Sequence, residues 1–161
     1  MRPLKSTKYS SETFAAGTLH TFLAESQFKS VCIPSTNVMG VRKVKNFTLT
    51  ILLKFPVGSN DINTPCYFAL VYIPEGLDPS ELKIGQEIPS NTNTLIAESF
   101  YEPNQNVIMQ GFIDGAQVYR YKSKLARNLN SGDKIMLIWR PFADFTSQAL
   151  FSYTLNYALA Y

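Results

Sequence analysis

The sequence predicts an all-β fold: a single eight-stranded antiparallel jelly roll made of two packed sheets. Three observations predict it. Two long segments alternate apolar and polar residues, aromatic residues make up 13% of the chain, and turn-forming residues separate short apolar runs. Aromatic and β-branched side chains suit pleated, half-buried surfaces, and a period of two places successive side chains on opposite faces of a strand. The length of 161 residues suits one domain with a substantial core.

The alternation is clearest in residues 47–55 and 149–161. In the first segment Phe47, Leu49 and Ile51 share one face, and polar residues occupy the other. Further strand-like runs with turn residues near their ends bring the count to eight: residues 18–31, 65–73, 94–101, 106–113, 116–126 and 134–140. An immunoglobulin domain is disfavoured because the single Trp139 follows both cysteines.

The only helix that the sequence predicts is one short turn over residues 78–82. Asp78 suits the N-cap of such a turn, and Pro79 suits its first helical position. Eight strands with so little helix leave a β-sandwich or a β-barrel, of which the double-sheet jelly roll is favoured.

The domain organisation that we expect is a flexible N-terminal segment over residues 1–17, followed by the jelly roll over residues 18–161. The first segment is polar and has no apolar stretch for a signal peptide, and no apolar run in the chain is long enough to span a membrane, so we expect no membrane insertion. Cys32 and Cys66 lie in apolar strand-like runs and are expected to be reduced, buried thiols, although their spacing leaves a disulfide open.

No catalytic or metal-binding motif is present, so we expect a protein that is not an enzyme and has no cofactor or metal. His20 is the only histidine and has no nucleophile beside it in the sequence. Glu98 and Glu102 have the spacing of a glycosidase pair but are better explained as solvated charges at a strand end.

Charge is distributed unevenly along the chain. Residues 1–60 hold eight basic and two acidic residues, residues 61–114 hold one basic and eight acidic, and residues 115–161 hold six basic and two acidic. A fold that interleaves strands from both ends of the chain would gather the basic segments on one side.

One predicted strand is rich in cations. Arg120, Lys122 and Lys124 alternate with Tyr119 and Tyr121, and Arg127 follows. Cations about 7 Å apart on one strand face match the spacing of phosphates along a nucleic-acid strand, and the tyrosines would stack on bases. The competing interpretation is a solvated edge strand whose lysines discourage pairing. A second group of cations, Arg42, Lys43 and Lys45, makes the two interpretations equal in weight.

Two stretches resemble the capsid proteins of small circular single-stranded DNA viruses, the circovirus-like group. They are residues 101–108 (YEPNQNVI) and 120–135 (RYKSKLARNLNSGDKI). The resemblance implies a jelly-roll subunit, about sixty copies of which close an icosahedral shell around a single-stranded DNA genome. It implies location in the virion and assembly in the host cell, with the nucleus as one candidate compartment, and an unknown host receptor as a further partner.

The N-terminus departs from this group. Its capsid proteins usually begin with a long arginine-rich arm, whereas residues 1–17 contain only Arg2, Lys5 and Lys8 as basic residues. Either such an arm has been removed or the folded domain packages the genome with its own cations. The candidate nucleic-acid-binding residues are therefore Arg120, Lys122, Lys124 and Arg127, then Arg42, Lys43 and Lys45. Two alternatives stay open: a capsid protein of a small RNA or satellite virus, and a soluble β-sandwich that binds carbohydrate or a receptor.

Overall fold

The computed structural model describes residues 8–23, 28–76, 82–84, 95–97, 107–113 and 117–161. These residues contain eleven strands and one short 3-10 helix, Asn60–Asn63. The strands are β1 (Ser10–His20), β2 (Phe28–Ile33), β3 (Arg42–Lys54), β4 (Cys66–Ile73), β5 (Leu82–Ile84), β6 (Leu95–Ala97), β7 (Val107–Ile113), β8 (Val118–Ser123), β9 (Arg127–Leu129), β10 (Lys134–Pro141) and β11 (Ala149–Ala160).

The strands pair as in one long hairpin that has been rolled up. The first strand pairs with the last, β1 with β11, and the pairs β2 with β10, β3 with β8 and β4 with β7 are nested inside it, all antiparallel. Rolling gives a five-stranded sheet in the order β1-β11-β3-β8, with β9 also on β3, and a four-stranded sheet in the order β2-β10-β4-β7. This nested pairing in two sheets is the jelly roll that the sequence predicts.

The core lies between the two sheets and is rich in aromatic rings. Every second residue of β3 from Phe47 onward is buried, as the alternation predicts. Trp139 of β10 stacks on Phe151 of β11 with ring centroids 4.3 Å apart, and Phe22 meets the Trp139 ring edge-on at 4.6 Å. Large rings at these separations fill the space between two sheets and add specific contacts to the area they bury.

Asn46 interrupts β3 with a bulge. Thr48 pairs with Asn156 of β11 but Lys45 pairs with Ala158, so two residues of β3 oppose one residue of β11. Asn46 has a φ of 55°, which asparagine tolerates better than most residues. At this bulge the other neighbour of β3 changes from β8 to β9.

The four-stranded sheet is also covered on its outer side. A second cluster of buried side chains lies on the face directed away from the main core. Its members are Tyr67, Ala69, Val71, Ile73, Met136 and Ile138. The outer faces of the two sheets therefore differ: this one is apolar and buried, whereas the outer face of the five-stranded sheet is exposed or half-buried.

The two main sheets contain nine strands against the eight that the sequence predicts, with the short β9 as an unpredicted one, and individual bounds also differ. The run 18–31 is divided between β1 and β2, while within the run 94–101 the structure describes only β6, which pairs with β5 outside the two main sheets. The helical turn expected over residues 78–82 lies outside the described residues, apart from Leu82, which begins β5.

The start of the folded domain needs a correction. Residues 10–17 form a regular part of β1 and pair with β11, so the sheet begins at Ser10 and not at residue 18. The sequence hides this strand because one side of β1 faces away from the core and carries small or polar residues, such as Ser11, Thr13 and Ala15. Residues 1–7 lie outside the described part of the chain.

The two cysteines are buried thiols that form no disulfide, as expected. Burial raises the pKa of the Cys32 thiol to about 11, against the lowering effect of hydrogen bonds that include Tyr153. Across the described ranges, no helix is long and apolar enough to cross a membrane.

Candidate nucleic-acid interface

The register of β3 and β8 places four candidate cations on the outer face of the five-stranded sheet. Arg120 pairs with Thr50, and Lys122 pairs with Thr48, on the side of the sheet opposite to the buried Leu49 and its neighbours. Lys43 and Lys45 lie on the same side of β3, before the bulge. Lys124 follows β8 directly and is exposed. We call Lys43, Lys45, Arg120, Lys122 and Lys124 the cation track.

The cation track runs along the seam between β3 and its neighbours. Measured on β3, it extends from Thr50, opposite Arg120, to Lys43. Seven residues at about 3.3 Å per residue give a length of about 23 Å. The track therefore matches an extended nucleic-acid segment of a few nucleotides.

The rest of this face carries mostly small and polar side chains, and a group of apolar ones lies beyond Arg120 at one end: Leu19, Leu52, Val118 and Leu150. Rows of residues cross the sheet from β1 to β8, and in one of them Thr13 Oγ1 donates a hydrogen bond to Asn156 Oδ1 at 2.7 Å, with Thr48 and Lys122 next along the row. Among the residues that the structure describes, no Asp or Glu lies on this outer face. The field above the track is therefore positive and without local neutralisation.

The two tyrosines of β8 point into the protein, which corrects the expectation that they stack on bases. Tyr121 Oη donates to the carbonyl oxygen of Phe112 at 2.6 Å, and its ring lies against Phe68 at 4.5 Å. Burial raises the pKa of Tyr121, and the neighbouring Tyr119 adds to the effect. Both rings pack against the main core and leave Val118 and the cations of β8 on the outer face.

Arg42 and Arg127 point inward and do not join the cation track. Arg42 is 9% exposed and donates from Nη2 to the Asp133 carbonyl oxygen at 3.3 Å. Arg127 lies over the Tyr72 ring at 5.5 Å. Period-two spacing puts Arg42 on the side of β3 opposite to Lys43 and Lys45, but only the tertiary structure decides which side faces the core. Arg127 lies in the short strand β9, which the sequence analysis did not predict.

The group around Arg42 and Arg127 is a structural polar cluster. The buried Asp133 carboxylate accepts hydrogen bonds from Tyr72 Oη at 2.5 Å, from the Glu75 backbone N–H at 2.9 Å and from the Asn130 backbone N–H at 2.8 Å. Burial, with Asp133 beside it, raises the pKa of Tyr72 to about 12. These contacts hold the β9–β10 turn against the end of β4.

Lys54 is a further cation that the sequence analysis did not select. It lies at the end of β3, on the outer face and opposite Leu150 of β11, and is exposed. In the alternation of residues 47–55, Lys54 is an even-numbered residue like Thr48 and Thr50, which places it on their side of the strand. This position could have identified it from the sequence.

A cluster of exposed apolar side chains lies at one end of the sandwich, where the β2–β3 loop meets the end of β11. Met39 is 93% exposed and Tyr161 is 89% exposed. With Val38, Val41 and neighbouring residues they line an open pocket of about 360 Å³. We call Val38, Met39, Val41 and Tyr161 the apolar end.

The sequence analysis also considered metal sites, His20 and the Glu98–Glu102 pair. In the described ranges no three His, Cys, Asp or Glu side chains are placed to hold a metal ion. His20 is exposed, and its Nδ1 lies 2.6 Å from the carbonyl oxygen of Thr21. The Glu98 and Glu102 pair lies outside the described residues.

Comparisons with known proteins give remote structural likenesses. No protein-family model and no curated protein matches the chain. A CocE/NonD family hydrolase from Staphylococcus aureus is 8% identical with a TM-score of 0.41; the match covers 98% of this chain but only 38% of the hydrolase. A decameric BFDV capsid protein is 6% identical with a TM-score of 0.40, over 94% of this chain and 98% of that one. A 60-mer BFDV capsid protein is 6% identical with a TM-score of 0.36, over 97% and 94%.

Proposed function

We propose that this protein is a viral capsid subunit that assembles with copies of itself and holds a single-stranded nucleic acid, a circular DNA genome, against the cation track. One observation carries the proposal: the outer face of the five-stranded sheet bears cations without a carboxylate among its described residues. The opposite outer face, on the four-stranded sheet, is apolar and already buried. The two sides of the subunit are therefore suited to different surroundings.

Self-assembly is supported by the apolar end. Monomeric proteins rarely leave several large apolar side chains together in water, and such groups usually mark an interaction surface. The chain is also poor in charged residues, at 17%, and rich in aromatic ones, as interface cores are. The resemblance of residues 101–108 and 120–135 to circovirus-like capsid proteins suggests about sixty copies, the virion as location, and a receptor on the host cell.

Among the residues that the structure describes we recognise no catalytic arrangement, which favours a structural role over an enzyme. The buried carboxylates of Asp61 and Asp133 each accept several hydrogen bonds that connect neighbouring loops. They do not line a cleft with a nucleophile. A β-sandwich that binds carbohydrate or a receptor remains the alternative, and assembly separates the two.

Assembly is tested by size in solution. Sixty subunits of 18.1 kDa give particles of about 1 MDa. Met39→Asp places a charge on the apolar end without touching the core, so it should reduce the particles to small species, whereas Met39→Leu should retain them. Light scattering and negative-stain microscopy measure both variants. Wild-type protein that stays monomeric at every concentration and ionic strength would favour the sandwich binder.

Nucleic-acid binding is tested through its salt dependence. Each phosphate contact on a single strand contributes about −0.7 to the slope of log K against log salt, so the five cations of the track predict a slope of about −3.5. Arg120→Gln with Lys122→Gln should bring the slope to about −2.1. Fluorescence anisotropy with a labelled oligothymidylate measures both values.

The matched control removes the same charge from the other sheet. Lys29 and Lys134 lie on β2 and β10 of the four-stranded sheet. Replacing both by Gln leaves the track intact and should leave the slope near −3.5. Equal slopes for both double variants would remove the cation track from the proposal.

A further inference from the structure

We infer that the cation track binds nucleic acid through its phosphates alone, without base stacking and without distinguishing DNA from RNA. This inference rests on the proposed function and specifies its ligand: a single-stranded polynucleotide of any sequence. It follows from which side chains the register places on the outer face and which it turns inward.

Base stacking needs exposed aromatic rings beside the backbone groove. The described strand residues on the outer face of the five-stranded sheet include none. Tyr119 and Tyr121 of β8 pack on the core side, and the odd-numbered residues of β11, with Tyr153 and Tyr157 among them, also face the four-stranded sheet. In these strands the aromatic residues and the cations occupy alternate positions, and their side chains therefore lie on opposite faces of the sheet.

Tyr161 is 89% exposed and follows Ala160, the β11 partner of Lys43, so it lies at one end of the track, where it belongs to the apolar end. Tyr9 is the aromatic residue that contacts a cation of the track. It precedes β1 and is 37% exposed, and the Lys45 ammonium lies 4.0 Å from its ring centroid. One face of the ring is therefore already occupied by a cation, an arrangement that is favourable by itself. We therefore assign Tyr9 to orienting Lys45, and a Tyr9→Leu variant tests whether the other face of the ring stacks on a base.

Base edges and sugars have few readers on this face, because Arg120 is the only guanidinium of the cation track and we assign it to phosphate. Discrimination between bases depends on amide or guanidinium groups that reach base edges, and discrimination between DNA and RNA depends on contacts to the 2′-hydroxyl. The Asn156 side chain already accepts a hydrogen bond from Thr13. Asn128 of β9 lies at one end of the track, opposite Lys43, where it reaches one nucleotide at most. Hydroxyls such as those of Thr48 and Thr50 suit phosphate oxygens.

The test compares three labelled 20-mers of equal charge: oligothymidylate, oligouridylate and an abasic deoxyribose-phosphate chain. Binding is measured by anisotropy at about 50 mM salt, where phosphate contacts dominate. We expect the three dissociation constants to agree within about threefold. Loss of a single stacked base would weaken binding of the abasic chain at least about fivefold.

The outcomes separate this inference from the proposed function. If oligothymidylate binds and the abasic chain binds more than fivefold weaker, phosphate-only recognition is wrong while the nucleic-acid role stands. A more than fivefold preference for either sugar has the same consequence. If none of the three binds, the nucleic-acid part of the proposed function fails. Tyr9→Leu completes the set: a loss specific to the two base-bearing chains would show that Tyr9 stacks and would overturn the inference.

Discussion

Asp61 offers the sharpest test of how the two loop regions at one end of the sandwich are held together. Its carboxylate is 3% exposed and lies at the start of the 3-10 helix between β3 and β4. Oδ1 accepts from the Thr146 backbone N–H at 2.9 Å and from Thr146 Oγ1 at 3.2 Å. Oδ2 accepts from the Ser147 backbone N–H at 3.0 Å, from Ser147 Oγ at 2.5 Å and from Ser59 Oγ at 3.1 Å. One carboxylate therefore connects the β3–β4 and β10–β11 loops.

The perturbation is Asp61→Asn, which keeps the shape and replaces one oxygen by an amide NH2. If the remaining oxygen keeps the Thr146 contacts, the amide faces the Ser147 N–H, and two donors oppose each other. Hydrogen bonds to a charged group contribute about 1.5–3 kcal/mol, and a buried donor without an acceptor costs about 1–3 kcal/mol. We expect the free energy of unfolding at pH 7 to fall by about 3 kcal/mol.

The pH dependence of stability gives a second, independent measurement. Burial by itself raises the pKa of Asp61, but the hydrogen bonds from Ser147, Thr146 and Ser59 outweigh it and lower the pKa from 3.8 to about 2. A depressed pKa in the folded state contributes stability that is present above about pH 4 and is lost as the pH falls through about 2. The difference in the free energy of unfolding between wild type and Asp61→Asn should therefore be constant above pH 5 and decrease below pH 4.

The assay is urea unfolding followed by the fluorescence of Trp139, the only tryptophan and fully buried. It is run at fixed protein concentration from pH 7 to pH 2, because assembly would make stability concentration-dependent. Asp144→Asn, at an exposed position in the β10–β11 loop, is the matched control and should change stability by less than 1 kcal/mol. The reasoning would be refuted if the free energies of unfolding of wild type and Asp61→Asn differ by less than 1 kcal/mol at pH 7, or if their difference does not decrease on acidification.

Three further predictions follow from particular contacts. Gly111→Ala should lower the free energy of unfolding by about 1–3 kcal/mol, because a Cβ there would lie 2.9 Å from the buried Phe68 ring. The control Gly17→Ala should not destabilise the protein, because no atom lies closer than 3.6 Å to the added Cβ. Both variants are measured by urea unfolding, and equal decreases in their free energy of unfolding would contradict the packing argument. Arg127→Met should leave the slope of log K against log salt for DNA binding unchanged, because this side chain lies over Tyr72 and off the track. If anisotropy titrations show that the magnitude of the slope falls by about 0.7, Arg127 contacts a phosphate and belongs to the interface. Tyr121→Phe should cost about 1 kcal/mol in unfolding, through the lost hydrogen bond to Phe112, and leave DNA affinity unchanged; weaker binding would mean that the ring reaches the ligand.

The sequence determined the fold class because the periodicity of a strand is local. In β3 and β11 the alternation of apolar and polar residues reports directly which side chains enter the core, and the structure buries those residues. The same alternation in β8 assigned Arg120 and Lys122 to one face and Tyr119 and Tyr121 to the other, as the structure has them. β1 was only partly recognised because its alternation is weak on a half-buried edge strand.

Only the tertiary structure decided which way each face points and which cations lie together. Period-two patterns say that Arg120 and Tyr121 oppose each other, but only the stacking of the two sheets turns Tyr121 toward the core and Arg120 outward. Lys43 and Lys122 are far apart in the sequence and meet on one surface because β3 pairs with β8 and β9. Arg42 is next to Lys43 in the sequence yet is buried, because neighbouring residues of a strand face opposite sides and one of those sides is the core. Long-range strand pairing and the sidedness of the sheets are properties of the whole fold, which no local pattern contains.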